Sequence, residues 1–267
     1  NLTDADHTVR LAKRTESPWA AGQFGGFVAA SGGSILAKPA ARTRQIEFIG
    51  DSFTAGYGNM STSRDCSSTG GVNRNSNADR TFAAMAARSL NADYQLIAWS
   101  GLGMVRNYGG MSTDLSFRAY YDQTLQALWN STVWTPGSWR PQLVVIGLGI
   151  NDFSTPLNPG EQWTLPEALV DDFRASYHGF LDTLRSRYGS GTIIVVSATS
   201  YGGANLPAAA QQVVTDRNAR GDSRVVFWDY TSSSLDFLGC DWHPSLHDEQ
   251  ILSDMLQDYI ATLPLTW

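Results

Sequence analysis

From Gln45 onward, short runs of apolar and β-branched residues alternate with longer stretches in which apolar side chains recur every three or four positions. The runs Ile46–Ile49, Tyr94–Trp99, Leu143–Ile146, Ile193–Val196 and Val225–Trp228 are candidate strands. Three of them are nearly continuous β-branched runs, the pattern of strands buried on both faces of a parallel sheet. Between them lie helices. Leu169, Phe173, Tyr177, Phe180, Leu181 and Leu184 share one face, and Thr164-Leu165-Pro166-Glu167 predicts a capping box at that helix's start. Ile251, Leu252, Met255, Tyr259 and Ile260 mark the last helix. Alternating strands and helices predict an α/β fold, a three-layer, doubly wound, parallel five-stranded sheet. Such sheets bind ligands beyond the carboxyl ends of their strands, so the loops after strands are where chemistry is expected.

Residues 1–44 differ. His7–Arg14 alternates polar and apolar side chains at period two, and Gly25–Ala30 is a second short strand candidate. Two strands do not make an independently stable sheet. The segment is therefore expected either to pack on the main domain or to be the tail of a larger β-domain upstream. Ala37-Lys38-Pro39-Ala40 reads as a linker, which divides the chain into residues 1–44 and a main domain of 45–267. Ser61–Asn77, rich in Ser, Gly, Asn and Arg, reads as a surface loop, and no internal repeat is visible.

Composition narrows the partners. Of 267 residues, 42% are hydrophobic and 16% charged, with a net charge of −6. A charged fraction below the usual ~25% and an acidic balance give no electrostatic reason to bind nucleic acid or an anionic membrane, so a neutral substrate is expected. The longest apolar run, Leu143–Ile150, falls far short of the roughly 18 residues a membrane span requires. The chain opens Asn1-Leu2-Thr3, as expected of a processed or trimmed chain. Asn1, Asn59 and Asn130 each begin an Asn-x-Ser/Thr glycosylation triplet. Cys66 and Cys240 are either two buried thiols or one long-range disulfide. Each lies beside a candidate catalytic segment, which favours the disulfide and with it an oxidising, extracellular setting.

The loop after the first strand is Gly50-Asp51-Ser52-Phe53-Thr54. A serine where a buried strand turns toward a helix exposes its hydroxyl at the sheet edge, beside free backbone N–H groups. The competing reading is that Asp51 or Ser52 caps the following helix. After the second strand comes Ser100-Gly101-Leu102-Gly103, and after the third Gly149-Ile150-Asn151-Asp152. The N–H groups of Ser52 and Gly101 and the Asn151 amide supply three donors for one oxyanion. Each alone is an ordinary turn; their joint placement after three successive strands is the signal. The fifth strand is followed by Cys240-Asp241-Trp242-His243-Pro244. His243, unlike His7 and His178, lies on a strand-end loop, with Asp241 two residues before it. His243 and His247 have a zinc-ligand spacing, but Pro244 and the missing Glu of a His-Glu-x-x-His motif argue against a metal, and none is expected. Tyr108 and Trp242 are candidates for stacking on a sugar ring, with generic packing as the alternative.

The blocks Gly50-Asp51-Ser52, Gly101, Gly149-x-Asn151-Asp152 and Asp241-x-His243-Pro244, in that order over about residues 45–263, resemble those of the SGNH (GDSL-like) hydrolases. More narrowly, His7–Arg10, Lys13–Glu16, Ile46–Ser52, Trp99–Gly103 and Gly239–Ser245 are similar to carbohydrate esterase family two. The resemblance implies an SGNH/flavodoxin-like fold and a secreted serine esterase that removes acetyl groups from plant polysaccharides such as xylan or glucomannan, favouring 6-O-acetyl groups. It implies Ser52 as nucleophile, His243 as base, Ser52, Gly101 and Asn151 as the oxyanion hole, and no cofactor. It also implies that residues 1–44 are the last strands of a jelly-roll-like β-sandwich domain. A monomer is expected. Asp241 lies two residues before the histidine rather than the usual three. The family-two esterases share this spacing and differ in whether the Asp side chain or a backbone carbonyl orients the imidazole. A lipase or thioesterase acting on other esters is the alternative within the fold. A carbohydrate-binding module without turnover is the alternative outside catalysis, and the intact Ser52, Asn151 and His243 set argues against it.

Overall fold

The computed structural model describes residues 3, 5–16, 22–123, 133–135 and 137–267. The five expected strands form, each within a residue or two of its predicted bounds: β1 (Gln45–Gly50), β2 (Asp93–Ala98), β3 (Leu143–Gly147), β4 (Ile193–Ala198) and β5 (Val225–Asp229). They make one all-parallel sheet in the order β2-β1-β3-β4-β5. The helices are α1 (Ser52–Ala55), α2 (Gly71–Asn75), α3 (Phe82–Ser89), α4 (Phe117–Tyr121), α5 (Ile150–Phe153), α6 (Pro166–Tyr188), α7 (Asn205–Ala219) and α8 (Leu246–Ala261).

Strand alternation sorts the core into two layers. Ile46, Phe48, Leu143, Val145, Ile193 and Val195 point to α3 and α8, while Ile49, Val144, Ile146, Ile194 and Val196 point to α6 and α7. Burying each such side chain contributes roughly 1.5–3 kcal/mol, so the near-continuous apolar runs are what two covered faces demand. Glu47 is the exception: its strand position turns it into the α6 layer, fully buried. Hydroxyls of Tyr121 (2.6 Å) and Tyr188 and the indole of Trp139 (3.2 Å) donate to its carboxylate. The chain steps outward from β1 to β2 on one side and to β3 on the other, so the switch in winding direction falls beside the carboxyl end of β1.

Two expectations about these elements are corrected. Helix α6 starts at Pro166 with Leu165 as N-cap and no side-chain cap, so Thr164 and Glu167 form no capping box; proline at the first helical turn, whose N–H would be unpaired anyway, serves as the start. The capping box sits instead on α8, between Ser245 and Asp248. Ser61–Asn77 is more than a surface loop, for it contains a 3₁₀ turn (Ser67–Thr69) and α2, with Ser61, Asn75 and Ser76 buried.

Among the described residues of 1–44 there is no strand, so the candidates at His7–Arg14 and Gly25–Ala30 do not form as such. A strand requires a ladder to a neighbour, and this segment is fastened mainly by side chains. Arg10 forks onto Asp79 (2.7 and 2.9 Å) and reaches the Tyr94 hydroxyl, and Arg14 donates to the Arg74 carbonyl (3.1 Å). Its described backbone bonds to the main domain run from Ala78 N–H to the Arg14 carbonyl and from Asp93 N–H to the Arg44 carbonyl. Residues 10–16 thus pack on the main domain, one of the two expected outcomes. Among the described residues no helix is long and apolar enough to cross a membrane.

Candidate active site

At the end of β1 the chain turns so tightly that a Cβ on Gly50 would lie 2.1 Å from Thr54 Oγ1. Asp51 caps α1, its Oδ1 accepting from Phe53 N–H at 3.1 Å. The capping role falls to Asp51, and the Ser52 hydroxyl lies 2.8 Å from His243 Nε2.

The other face of the imidazole answers the question left open about Asp241. His243 Nδ1 lies 3.0 Å from the Cys240 carbonyl and 3.2 Å from the Asp241 carbonyl. The Asp241 carboxylate is turned away and accepts from the Tyr57 hydroxyl at 2.9 Å. In this structure the imidazole Nδ1 therefore faces main-chain carbonyls, and the Asp241 carboxylate is engaged by Tyr57 instead. Two carbonyls, which only accept, fix the tautomer with Nδ1 protonated and the Nε2 lone pair facing Ser52. Burial pushes the His243 pKa below its ordinary value, and the two carbonyls and the Asp241 charge pull it partly back. Tyr57 also walls the ring, its centroid 4.2 Å from that of His243.

This loop is bent sharply. Asp241 and Trp242 have φ of +51° and +65°, a left-handed backbone that costs L-residues roughly 1–2 kcal/mol each. Neighbouring chain holds it in place. Cys66 and Cys240 form a disulfide. Cys240 N–H donates to the Gly58 carbonyl (3.1 Å) and Asp241 N–H to the Arg64 carbonyl (2.8 Å). The Arg64 guanidinium binds the Asp236 and Phe237 carbonyls (2.8 and 3.0 Å) and stacks 3.5 Å from the Trp242 ring centroid.

Gly101 and Asn151 line the same cavity as Ser52 and His243. Gly101 follows β2 with φ of +84°, and Asn151 sits in α5 directly after β3. Asn151 Nδ2 lies 2.9 Å from the Leu102 carbonyl and 3.4 Å from Asp51 Oδ2. The neighbouring Asp152 ties the two loops together by accepting from the N–H groups of Met104, Val105 and Arg106 at 2.8, 2.8 and 2.9 Å. Burial pushes the Asp152 carboxyl up to about 6, against the pull of these three donors, and pushes that of Asp51 up to about 7.

A cavity of about 770 Å³ opens over Ser52, Gly101, Asn151 and His243. Tyr108 and Trp242 both line it and are exposed, Trp242 at 66%. Tyr108 stands on a 3₁₀ turn held by Thr155 and Asn158 and by the buried Arg106–Glu161 pair. The sequence reading missed Tyr57, Met111, Tyr201 and Phe237, which also line the cavity. No spacing announces them, because Tyr57, Met111 and Phe237 lie on irregular loops and Tyr201 on a single 3₁₀ turn (Ser200–Gly202).

Asn59 is not a glycan site in the folded chain. It is fully buried, and its Nδ2 donates to the Asn77 carbonyl (3.1 Å) and to Glu249 Oε1 (3.0 Å). Asn1 and Asn130 lie outside the described residues. Among the described residues no three His, Cys, Asp or Glu side chains are placed to hold a metal ion.

The family profile of GDSL-like lipases/acylhydrolases matches residues 46–254. An acetylxylan esterase/glucomannan deacetylase of Cellvibrio japonicus is 38% identical over 270 residues, covering 100% of this chain and 72% of its own length. The cellulase/esterase CelE of Acetivibrio thermocellus is 36% identical over 259 residues, covering 96% of this chain and 30% of its own length. Among solved structures, a carbohydrate esterase described as having divergent catalytic and non-catalytic binding functions in its active site superposes with a TM-score of 0.79 at 38% identity, covering 86% of this chain and 68% of its own. A family two carbohydrate esterase from Clostridium thermocellum, in complex with cellohexaose, superposes with a TM-score of 0.73 at 33% identity, covering 86% of this chain and 67% of its own.

Proposed function

The chain belongs to the GDSL-like lipase/acylhydrolase family, and within it we propose that this protein is a serine esterase that removes O-acetyl groups from plant cell-wall polysaccharides. The observation that carries the reading is the 2.8 Å contact between Ser52 Oγ and His243 Nε2 on the wall of a cavity edged by exposed aromatic rings. The acetylxylan and glucomannan activity named for the Cellvibrio relative and the cellohexaose bound by the Clostridium enzyme support a carbohydrate ester as substrate.

In this reading Ser52 Oγ attacks the acetyl carbonyl while His243 Nε2 takes its proton. Charge gathers on the carbonyl oxygen, which receives the N–H groups of Ser52 and Gly101 and the Asn151 N–H that Asp51 meets only at 3.4 Å. Each such donor is worth on the order of 10²–10³ in rate. Collapse expels the sugar alkoxide, which regains the proton from His243, and leaves an acetyl-enzyme. Water, deprotonated by the same imidazole, then releases acetate. The imidazolium formed midway is steadied by the Cys240 and Asp241 carbonyls rather than by a carboxylate. No step calls for a metal or cofactor. Tyr108 and Trp242 offer flat apolar faces for the sugar ring. A 6-O-acetyl group stands one bond further from the ring than the others, which favours it where a pyranose must reach a serine between aromatic walls.

The long-range disulfide supports secretion into an oxidising compartment. Residues 1–44 are proposed to belong with an upstream β-domain, and the protein is proposed to act as a monomer. Time-resolved NMR of acetylated glucomannan and xylan tests the substrate and position together. Loss of acetyl signals at carbon 6 of the glucomannan hexoses is expected with wild type, and no loss on either polymer with Ser52→Ala. Release at the wild-type rate by Ser52→Ala would sink the nucleophile assignment, and faster cleavage of octanoate than acetate esters would favour the lipase alternative.

A further inference from the structure

Glu16 lies outside the α/β fold, on the segment that runs over the main domain, yet its carboxylate reaches the loop after β2. There it accepts from the Ser100 backbone N–H at 2.7 Å and from Ser100 Oγ at 2.6 Å. Ser100 precedes Gly101, and the peptide between them carries the Gly101 N–H. We propose that Glu16 is a positioning residue for the oxyanion hole: by gripping Ser100 it keeps the Gly101 N–H aimed at the oxygen that gains charge. This inference rests on the esterase reading above.

The loop is secured differently on its two sides. Past Gly101, Asn151 holds the Leu102 carbonyl and Asp152 holds the N–H groups of Met104 to Arg106. Before Gly101, both the side chain and the backbone N–H of Ser100 are directed to Glu16. Gly101 itself is held through its carbonyl, which accepts from Tyr108 N–H at 2.9 Å, while its Cα faces open space where an added Cβ would find no atom within 4 Å, and its φ of +84° lies in a region that glycine adopts freely, so the orientation of its N–H depends on the peptide that Ser100 begins. A carboxylate suits this task because it offers two acceptor oxygens and no donor, and bonds to it are short and strong.

Glu16 is itself delivered by a fixed segment. Two residues earlier, the Arg14 carbonyl accepts from Ala78 N–H at 2.8 Å and the Arg14 guanidinium binds the Arg74 carbonyl; further back, Arg10 forks onto Asp79. A residue on a peripheral segment thus reaches the reaction centre through one intermediate, Ser100. Had Glu16 served only to fasten its own segment, its loss would lower the melting temperature and leave turnover alone.

The test compares wild type, Glu16→Ala and Glu16→Gln in the full chain. Three quantities are read: kcat and KM for 4-nitrophenyl acetate, the melting temperature, and inhibition by a small boronic acid, whose tetrahedral adduct on Ser52 places an oxygen in the oxyanion hole. Glu16→Ala is expected to lower kcat by about tenfold to a hundredfold, less than outright removal of a donor costs, with KM within about twofold. Boronate affinity is expected to fall in parallel. Gln keeps one acceptor oxygen and is expected to recover part of the loss; it carries the comparison if the Ala variant does not fold. Unchanged kcat and boronate affinity in the folded variants, or a change confined to KM, overturns the proposal. A wild-type protein without activity on any acetyl ester would instead refute the esterase reading, so the two failures are distinguishable.

Discussion

Replacing Asp241 by Asn tests the arrangement around His243 most directly. In a triad whose carboxylate holds the imidazole, an Asp→Asn change presents an N–H to Nδ1, selects the wrong tautomer and costs about 10⁴ in kcat. Here the carbonyls of Cys240 and Asp241, at 3.0 and 3.2 Å, hold Nδ1 and survive the substitution. The Tyr57 hydroxyl still finds an acceptor in the Asn oxygen. What disappears is one negative charge near a developing imidazolium, at a residue exposed to solvent, an effect on the order of 1 kcal/mol. The expected loss in kcat is therefore below about tenfold. The pH profile supplies a second reading. The Asp241 charge raises the His243 pKa against the lowering effect of burial, so its removal lets that pKa drop further. The base works in its neutral form, so the acid limb of kcat/KM should move to lower pH. Steady-state hydrolysis of 4-nitrophenyl acetate over pH values of roughly 4 to 8 measures both. A loss of about 10³ or more with an unchanged melting temperature would refute the carbonyl-supported dyad and restore Asp241 to a triad.

Glu161→Gln should destabilise by about 3–5 kcal/mol in thermal or urea unfolding, because it strands Arg106 where the two side chains are only 1% and 6% exposed. Arg106 holds the Glu161 carboxyl down at about 2, so the wild-type contribution is present above the ordinary value of 4.5 and is lost as pH falls toward 2; the variant should lack this acid dependence. Trp242→Ala should raise KM for acetylated oligosaccharides roughly tenfold while sparing 4-nitrophenyl acetate, since one stacked ring contributes about 1–2 kcal/mol. An equal loss on both esters would mean that Trp242 serves the histidine loop and not the sugar. Cys66→Ser should lower the melting temperature, with up to about 5 kcal/mol at stake for a bridge spanning 174 positions, and should also lower kcat by loosening the Cys240 carbonyl; wild-type kcat would show that the loop stands without the bridge.

Much of this molecule is legible in the chain because one physical rule governs it. Strands covered on both faces must be apolar throughout, so Leu143–Ile146 and Ile193–Val196 announce themselves, and chemistry must then fall on the loops that follow. That rule points to Ser52, Gly101, Asn151 and His243, which line one cavity. Contacts between distant loops escape such reading. Nothing in the sequence says that Tyr57 takes the Asp241 carboxylate, because the pairing depends on how the backbone turns at 241 and 242. The short strand candidates near the N-terminus failed for a related reason. Alternation describes one segment, whereas a strand also needs a neighbour, and the described part of residues 1–44 reaches the domain through Arg10, Arg14, Glu16, Arg42 and Arg44 instead. Glu47 sits in an apolar layer because three donors from later in the chain await it.

Cys240 joins two properties that are usually separable. Its sulfur closes the long covalent loop, and its carbonyl lies 3.0 Å from the imidazole that faces the Ser52 hydroxyl. A bridge elsewhere on the surface could be gained or lost over generations with consequences for durability alone. At this position, resistance to unfolding and speed of turnover are inherited through a single residue. A change at residue 240 therefore touches the covalent closure of the fold and the support of the imidazole together.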